Sequence, residues 1–275
     1  MRPAQPRARI ALAVLLASAA AGPAAAGELP APERLRAVVA ASDRADSDRK
    51  LDPGRRPAEL LAFFGVGPGM RIAELGAGSG YTTELLARAV APGGVVYGQN
   101  TRFILDRFAE KPWSERLAKP VMKQVVRVDR PFDDPLPPEA RDLDAVFLVL
   151  FYHDAVWMQV DRDRMNRAVF AALRPGGTYA IVDHSARAGA GLADVKTLHR
   201  IEEAVLREEV LLAGFRLAAE GDFLRNPADA RDWNAAPGAS GERRGTSDRF
   251  ALAFTRPPRP GSEPAPGPVE AAPPP

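Results

Sequence analysis

The chain has no cysteine among its 275 residues, which excludes disulfides, thiolate metal sites and a cysteine nucleophile together. A protein exported to an oxidising compartment gains from that absence, because nothing in it can mispair. A marked excess of charge of one sign is also missing: 37 Lys and Arg stand against 35 Asp and Glu, a net charge of +2. So small an imbalance is no basic patch, and nucleic acid is not implied as a partner. The apolar run Ile10–Ala21 falls short of the about 20 residues that a membrane span requires. It follows Arg2, Arg7 and Arg9 and precedes Ala24-Ala25-Ala26 and Gly27, the order of a secretory signal with a small-residue cleavage site. Residues 1–26 therefore read as a signal peptide. The mature chain is expected outside the cytoplasm, in the periplasm, with no stable membrane insertion once the signal is gone.

With 46% apolar residues, the remainder can bury one substantial core. Residues 27–56 read as an N-terminal extension, with a short amphipathic helix over Leu35–Ala45 and a charged stretch over Asp43–Arg56. That stretch is either a solvated surface or a lid that packs its Asp and Arg residues over a ligand mouth. Residues 57–256 form the main domain. Residues 257–275 are rich in Pro, Gly and Ala and read as a disordered tail.

Inside the main domain one punctuation mark recurs: Gly67-Pro68-Gly69, Ala91-Pro92-Gly93-Gly94 and Arg174-Pro175-Gly176-Gly177 each end a helical pattern and precede an expected strand. Proline cannot continue a helix and glycine closes it, so helix, turn and strand alternate, as in an α/β fold with a mostly parallel sheet. Strands are expected over Met70–Leu75, Val95–Gly98, Val121–Val128, Leu143–Phe151, Thr178–Val182, Phe215–Phe223 and Phe250–Thr255. Helices are expected over Pro57–Phe64, Thr82–Val90, Asp161–Leu173 and Asp194–Ala213. Leu224–Arg249 is longer than most connections in a compact domain and suits a binding loop.

The first strand runs through Glu74 into Gly76, Gly78 and Gly80 before a helix. Glycines there let the backbone turn tightly and approach a ligand, and the strand's carboxyl end suits a nucleoside-type cofactor. A dinucleotide fits less well, because the Gly-x-Gly-x-Gly spacing lacks the third glycine position and the ribose acid of a dinucleotide site. The three histidines of the chain gather at the same edge. His153 with Asp154 follows the fourth strand, His184 with Asp183 ends the fifth, and His199 lies in the helix after it.

The chain resembles the class I S-adenosylmethionine-dependent methyltransferases over roughly 57–255, and within them a group of predicted methyltransferases that carry an export signal. The resemblance rests on the glycine turn, Pro57–Phe64, Tyr152–Asp154, Val182–His184, Leu198–Ile201 and Leu224–Pro227. It implies a Rossmann-like, doubly wound, seven-stranded sheet and S-adenosylmethionine as cofactor. It implies that Glu74, Gly76, Gly78 and Gly80 surround the methionine part, with Glu74 near the ammonium group, and that Asp129 contacts the adenine. The place of the usual ribose-binding acid reads Gly98-Gln99-Asn100, where either amide, Gln99 or Asn100, can hydrogen-bond a ribose without charge assistance. Tyr81 either covers the cofactor or packs the first turn of its helix.

On the acceptor side, His153, Asp154, Asp183 and His184 are the candidate catalytic residues, with a histidine as general base near neutral pH. The same four residues could instead ligate a divalent metal, or the histidines could simply be satisfied by backbone bonds. No metal ligand is assigned in the first of these readings. Tyr152, His199, Arg225 and Asn226 are candidate contacts for a small-molecule substrate. Two other functions share these residues: an exported binding protein without catalysis, and a metal-dependent hydrolase or lyase.

Overall fold

A computed structural model of the chain describes residues 32–258. The signal over 1–26 and the tail from 259 onward lie outside the described residues. Helix α1 (Pro32–Ala40), two single-turn helices α2 (Asp46–Arg49) and α3 (Asp52–Arg55), and α4 (Pro57–Phe63) precede the sheet. Strand β1 (Arg71–Leu75), α5 (Tyr81–Val90), β2 (Val95–Asn100), α6 (Arg102–Ile104), α7 (Glu110–Leu117), β3 (Val125–Asp129) and β4 (Leu143–Val149) follow. The second half runs through α8 (Tyr152–Trp157), α9 (Arg162–Ala172), β5 (Leu173–His184), α10 (Val195–Leu198), α11 (Glu203–Leu212), β6 (Arg216–Gly221) and β7 (Arg249–Thr255). No helix among the described residues is long and apolar enough to cross a membrane.

The seven strands form one sheet in the order β3-β2-β1-β4-β5-β7-β6. Six run in the same direction, and β7 alone is reversed, pairing antiparallel with β5 on one side and β6 on the other. This is the mostly parallel α/β sheet that the glycine and proline punctuation predicts, in the doubly wound, Rossmann-like order that the resemblance to class I methyltransferases implies. β1 and β4 are almost wholly buried, as central parallel strands must be when helices cover both faces. Along the ladders Leu75 pairs with Gln99, Asn100 with Asp129, Leu75 with Leu148 and Val149 with Val182. The carboxyl ends of β1 to β5 therefore share one edge, where such sheets place their ligands.

Three local expectations change. The third strand starts only at Val125, because Pro120–Met122 forms a 3₁₀ turn. Arg174–Gly177 loops out of the β4–β5 ladder, which pairs Leu143 with Leu173 and resumes at Ala145 with Thr178. The helix expected over Asp194–Ala213 breaks in two, since His199 takes a left-handed backbone (φ 57°, ψ 47°) and Ile201 bridges to Ser185 beside β5.

The N-terminal extension packs against α5 and α7. Arg44 and Asp48 are buried; Arg44 forks onto Asp52 at 2.7 and 2.8 Å, and Arg116 of α7 forks onto Asp48 at 2.6 and 3.0 Å. Tyr81 at the start of α5 donates to Asp52 at 2.6 Å. On its other side the extension meets the long loop, where Arg249 donates to the Gly54 carbonyl at 2.6 Å. Charges that read equally well as solvated are thus paired across elements, which gives the charge-assisted hydrogen bonds their strength.

Candidate functional site

The turn after β1 has positive φ at Gly76, Gly78 and Gly80, a conformation that costs L-residues with a side chain roughly 1–2 kcal/mol each. The three glycines meet different surroundings. A Cβ on Gly80 would lie 2.4 Å from the ring of Trp113, and one on Gly98 would lie 2.8 Å from the same ring. Both are therefore glycine to admit the fully buried Trp113. A Cβ on Gly76 would fall 2.6 Å from Phe151, whereas Gly78 has open space. Gly78 alone presents an unobstructed face.

Two amides brace this turn. Gln99 accepts from the Gly76 amide at 3.0 Å and donates to the Arg130 carbonyl at 2.6 Å. Asn100 accepts from the Gly78 amide at 2.8 Å and donates back to the Gly78 carbonyl at 3.0 Å. Both side chains are fully buried, so Asn100 holds the loop rather than offering its amide to a ribose. Glu74 is also buried, under the first turn of α5, and accepts a short hydrogen bond from Thr83. Burial pushes its carboxyl up to about 7 against the pull of Thr83, Thr82, Arg55 and Arg116. Tyr81 stacks under Arg55, whose guanidinium is 4.4 Å from the ring centre, and belongs to the anchor of the N-terminal extension.

Beside the turn, a cavity of about 650 Å³ opens over the ends of β2 and β3, within the range of small-molecule sites. Phe103, Asp129, Phe132 and Trp157 contribute to its wall. Asp129 reaches the expected place, but Arg127 of its own strand holds both carboxylate oxygens. Phe132 lies 5.9 Å from Phe151, ring centre to ring centre. Half-buried Phe151 thus touches the cavity wall on one side and covers Gly76 on the other.

The histidine edge is closely packed. Asp183 is fully buried and holds the segment after β4: it accepts from the His153 amide at 2.9 Å and from the His184 amide at 2.7 Å, and lies 2.5 Å from His153 Nδ1. His184 is not free, because its Nδ1 contacts Ser247 Oγ at 2.7 Å. Burial drives its pKa well below the usual histidine value. His153 Nε2 makes no hydrogen bond within the described chain although it is buried. It lies 3.5 Å from Asp154 Oδ1, and His199 Nδ1 lies 3.8 Å from the same oxygen. The ring centres of His153 and His199 are 4.0 Å apart. Burial raises the Asp154 carboxyl to about 6 and lowers His199 to about 4. For His153, burial pulls the pKa down, but Asp183 outweighs it and the net shift is upward.

The remaining substrate candidates are spent inside the fold. Tyr152 is fully buried, donating to Glu209 at 2.7 Å and accepting from Asn166 at 2.9 Å. Arg225 pairs with Glu203 at 2.5 Å and contacts Ser185 at 3.2 Å. The Asn226 side chain donates to the Thr246 carbonyl at 2.5 Å and accepts from the Ala228 amide at 3.1 Å. Arg225 and Asn226 pin the long loop, together with the buried pair of Arg200 and Asp229 at 2.8 Å. Sequence reasoning missed Phe151, Ser247 and Arg44, and it offered Gln99 to a ribose where the structure has it bracing the turn. Of those missed, only Phe151 carried a local signal, as the residue that leaves β4 for the Tyr-His-Asp segment.

No protein-family model matches the chain. Among solved structures it is similar to an S-adenosylmethionine-dependent methyltransferase from Aquifex aeolicus, at 15% identity and a TM-score of 0.52 over 82% of this chain and 97% of that one. It is also similar to an S-adenosylmethionine-dependent methyltransferase from Mesorhizobium loti, at 20% identity and 0.50 over 75% of this chain and 100% of that one. A third similar structure is the [4+2]-cyclase SpnF, at 15% identity and 0.51 over 81% of this chain and 92% of that one. At these identities the likeness establishes the fold, which hosts more than one chemistry.

Proposed function

We propose that this chain binds S-adenosylmethionine across the carboxyl edge of the sheet and methylates a small acceptor presented at the histidine edge. The observation that carries the reading is the positive-φ turn after β1, bonded through Gln99 and Asn100 to the strands whose ends open into the cavity of about 650 Å³. The residues fit such a cofactor in chemistry: the open face of Gly78 admits close backbone approach, and Asp129 with the rings of Phe103 and Phe132 offers a polar contact and flat apolar walls. They fit on one condition, that the ring of Phe151 leaves Gly76.

When bound, the cofactor supplies a methyl carbon on a positive sulfur; the acceptor's lone pair forms the new bond as the carbon–sulfur bond breaks and its electron pair stays on sulfur. The chain's own task is to align the acceptor and to take its proton. His153 is held by Asp183 through both its backbone amide and Nδ1, which leaves Nε2 as the atom that can face an acceptor. β4 separates β1 from β5, so the glycine turn and the end of β5 are roughly 10 Å apart at normal strand spacing. That distance suits one elongated ligand pair.

Residues 1–26 support an exported, periplasmic chain whose amino terminus after cleavage is Gly27; mass spectrometry of the secreted form checks this. Calorimetry with S-adenosylhomocysteine tests the cofactor reading, and transfer of labelled methyl to a panel of small hydroxyl and amine acceptors tests the activity. The enclosure of His153 Nε2 favours one alternative, a binding protein without catalysis, which predicts that ligand binds and no acceptor is labelled.

A further inference from the structure

We infer that His153, Asp154 and His199 form a divalent transition-metal site at the carboxyl edge of the sheet. The three residues bring one candidate ligand atom each to within 4.8 Å of one another. Such a cluster would be unremarked at a surface, but a buried atom singles it out. His153 Nε2 is fully enclosed, makes no hydrogen bond, and has Asp154 Oδ1 as a neighbour at 3.5 Å. A buried ring nitrogen without a partner costs about 1–3 kcal/mol, and a metal ion at that point satisfies it.

The other ring nitrogen carries the second sign. Nδ1 lies 2.5 Å from Asp183, which is itself fixed by the amides of His153 and His184. A carboxylate on the far nitrogen fixes the tautomer and orients Nε2, the arrangement that metal-bound histidines commonly show. His199 is brought beside His153 by its left-handed backbone, which ends α10 and turns the chain toward β5. Its ring and the Asp154 carboxylate remain partly open to solvent, so an ion has a way in.

Metal bonds of about 2.1 Å set neighbouring ligand atoms roughly 3–3.5 Å apart. The two edges that meet at Asp154, 3.5 and 3.8 Å, thus need only small closure, and His199 must move inward toward His153. Two imidazoles and one carboxylate select borderline ions such as Zn²⁺, Co²⁺, Ni²⁺ or Fe²⁺ over Mg²⁺ or Ca²⁺. Three protein ligands leave at least one position free for a solvent or substrate oxygen. His184 lies outside the set because Ser247 occupies its Nδ1, and Asp183 belongs behind the metal rather than on it.

The inference leaves the cofactor reading untouched but takes His153 Nε2 out of the role of proton acceptor, since a nitrogen bound to metal has no lone pair for a proton, and its test uses metal alone. Tag-free chain is stripped with chelator and titrated with Co²⁺, followed by visible absorption and by metal analysis after gel filtration. Asp154→Asn preserves shape, and His199→Gly suits the left-handed backbone, so each is expected to keep its circular dichroism spectrum. The wild type is expected to retain one ion per chain, and each variant to lose at least tenfold in affinity. Asp183→Asn is expected to weaken binding less than either. No retained Co²⁺ or Zn²⁺ in the wild type overturns the site, as does wild-type affinity in either variant. S-Adenosylhomocysteine binding by the metal-free chain, measured separately, shows whether the cofactor reading fails with it.

Discussion

Replacing Glu74 with Gln tests the electrostatics under the glycine turn. The folded carboxyl holds its proton to about pH 7, because burial penalises the charged form, against its ordinary 4.5. An unfolded chain gives that proton up near the ordinary value. The stabilisation from a neutral Glu74 is therefore fully present below about 4.5, declines as pH rises, and is gone above about 7. At about 1.4 kcal/mol for each tenfold in the proton equilibrium, the whole effect is about 3 kcal/mol. Gln keeps an oxygen for the Thr83 hydroxyl and has no proton to lose. Melting temperatures of both forms from about pH 4.5 to about pH 8 separate Glu74 from every other titrating group, which the two share. The wild type should fall relative to Glu74→Gln by roughly 6–12 °C across that range. A gap that does not move with pH would mean that Glu74 is ionised when folded, and the burial argument would be wrong.

Other expectations follow from the same contacts. Gly76→Ala places a carbon 2.6 Å from Phe151 at a φ of +67° and should cost about 2–4 kcal/mol in urea melts, whereas Gly78→Ala meets nothing and should cost only the backbone term of about 1–2 kcal/mol. Phe151→Ala added to Gly76→Ala should recover the clash but not the backbone cost, and fully additive losses would refute the packing. Tyr81→Phe removes the bond to Asp52 and should cost about 1.5–3 kcal/mol. It should also speed protease cleavage between Ala41 and Arg56, and an unchanged digest would show that the extension is held elsewhere.

The fold was legible because it is written locally. Gly67–Gly69, Ala91–Gly94 and the β-branched runs of β4 and β5 mark where helices stop and strands begin, and no distant residue is needed to read them. The break at His199 was not legible, since the Ile201–Ser185 bridge that imposes it joins segments on opposite sides of a loop. The site was legible only in outline. Clustering of His153, Asp183, His184 and His199 at one edge follows from strand ends, but which nitrogen is free depends on Ser247 and Asp183, 63 and 30 residues from their partners. The same limit explains Asn100, Arg225 and Asn226. Each is a residue type that suits a ligand, and each is consumed by a partner that one sequence does not reveal. Gly80 is a further instance, a glycine that the packing of Trp113 requires.

The central claim is that the turn after β1 and the neighbouring cavity hold an adenosyl ligand, and titration calorimetry of tag-free chain with S-adenosylhomocysteine tests it most directly. The account predicts saturable binding of one ligand per chain, weakened at least tenfold by Gly78→Val, whose side chain would occupy the open face of the turn. Absence of binding heat, or equal affinity in Gly78→Val, would contradict it.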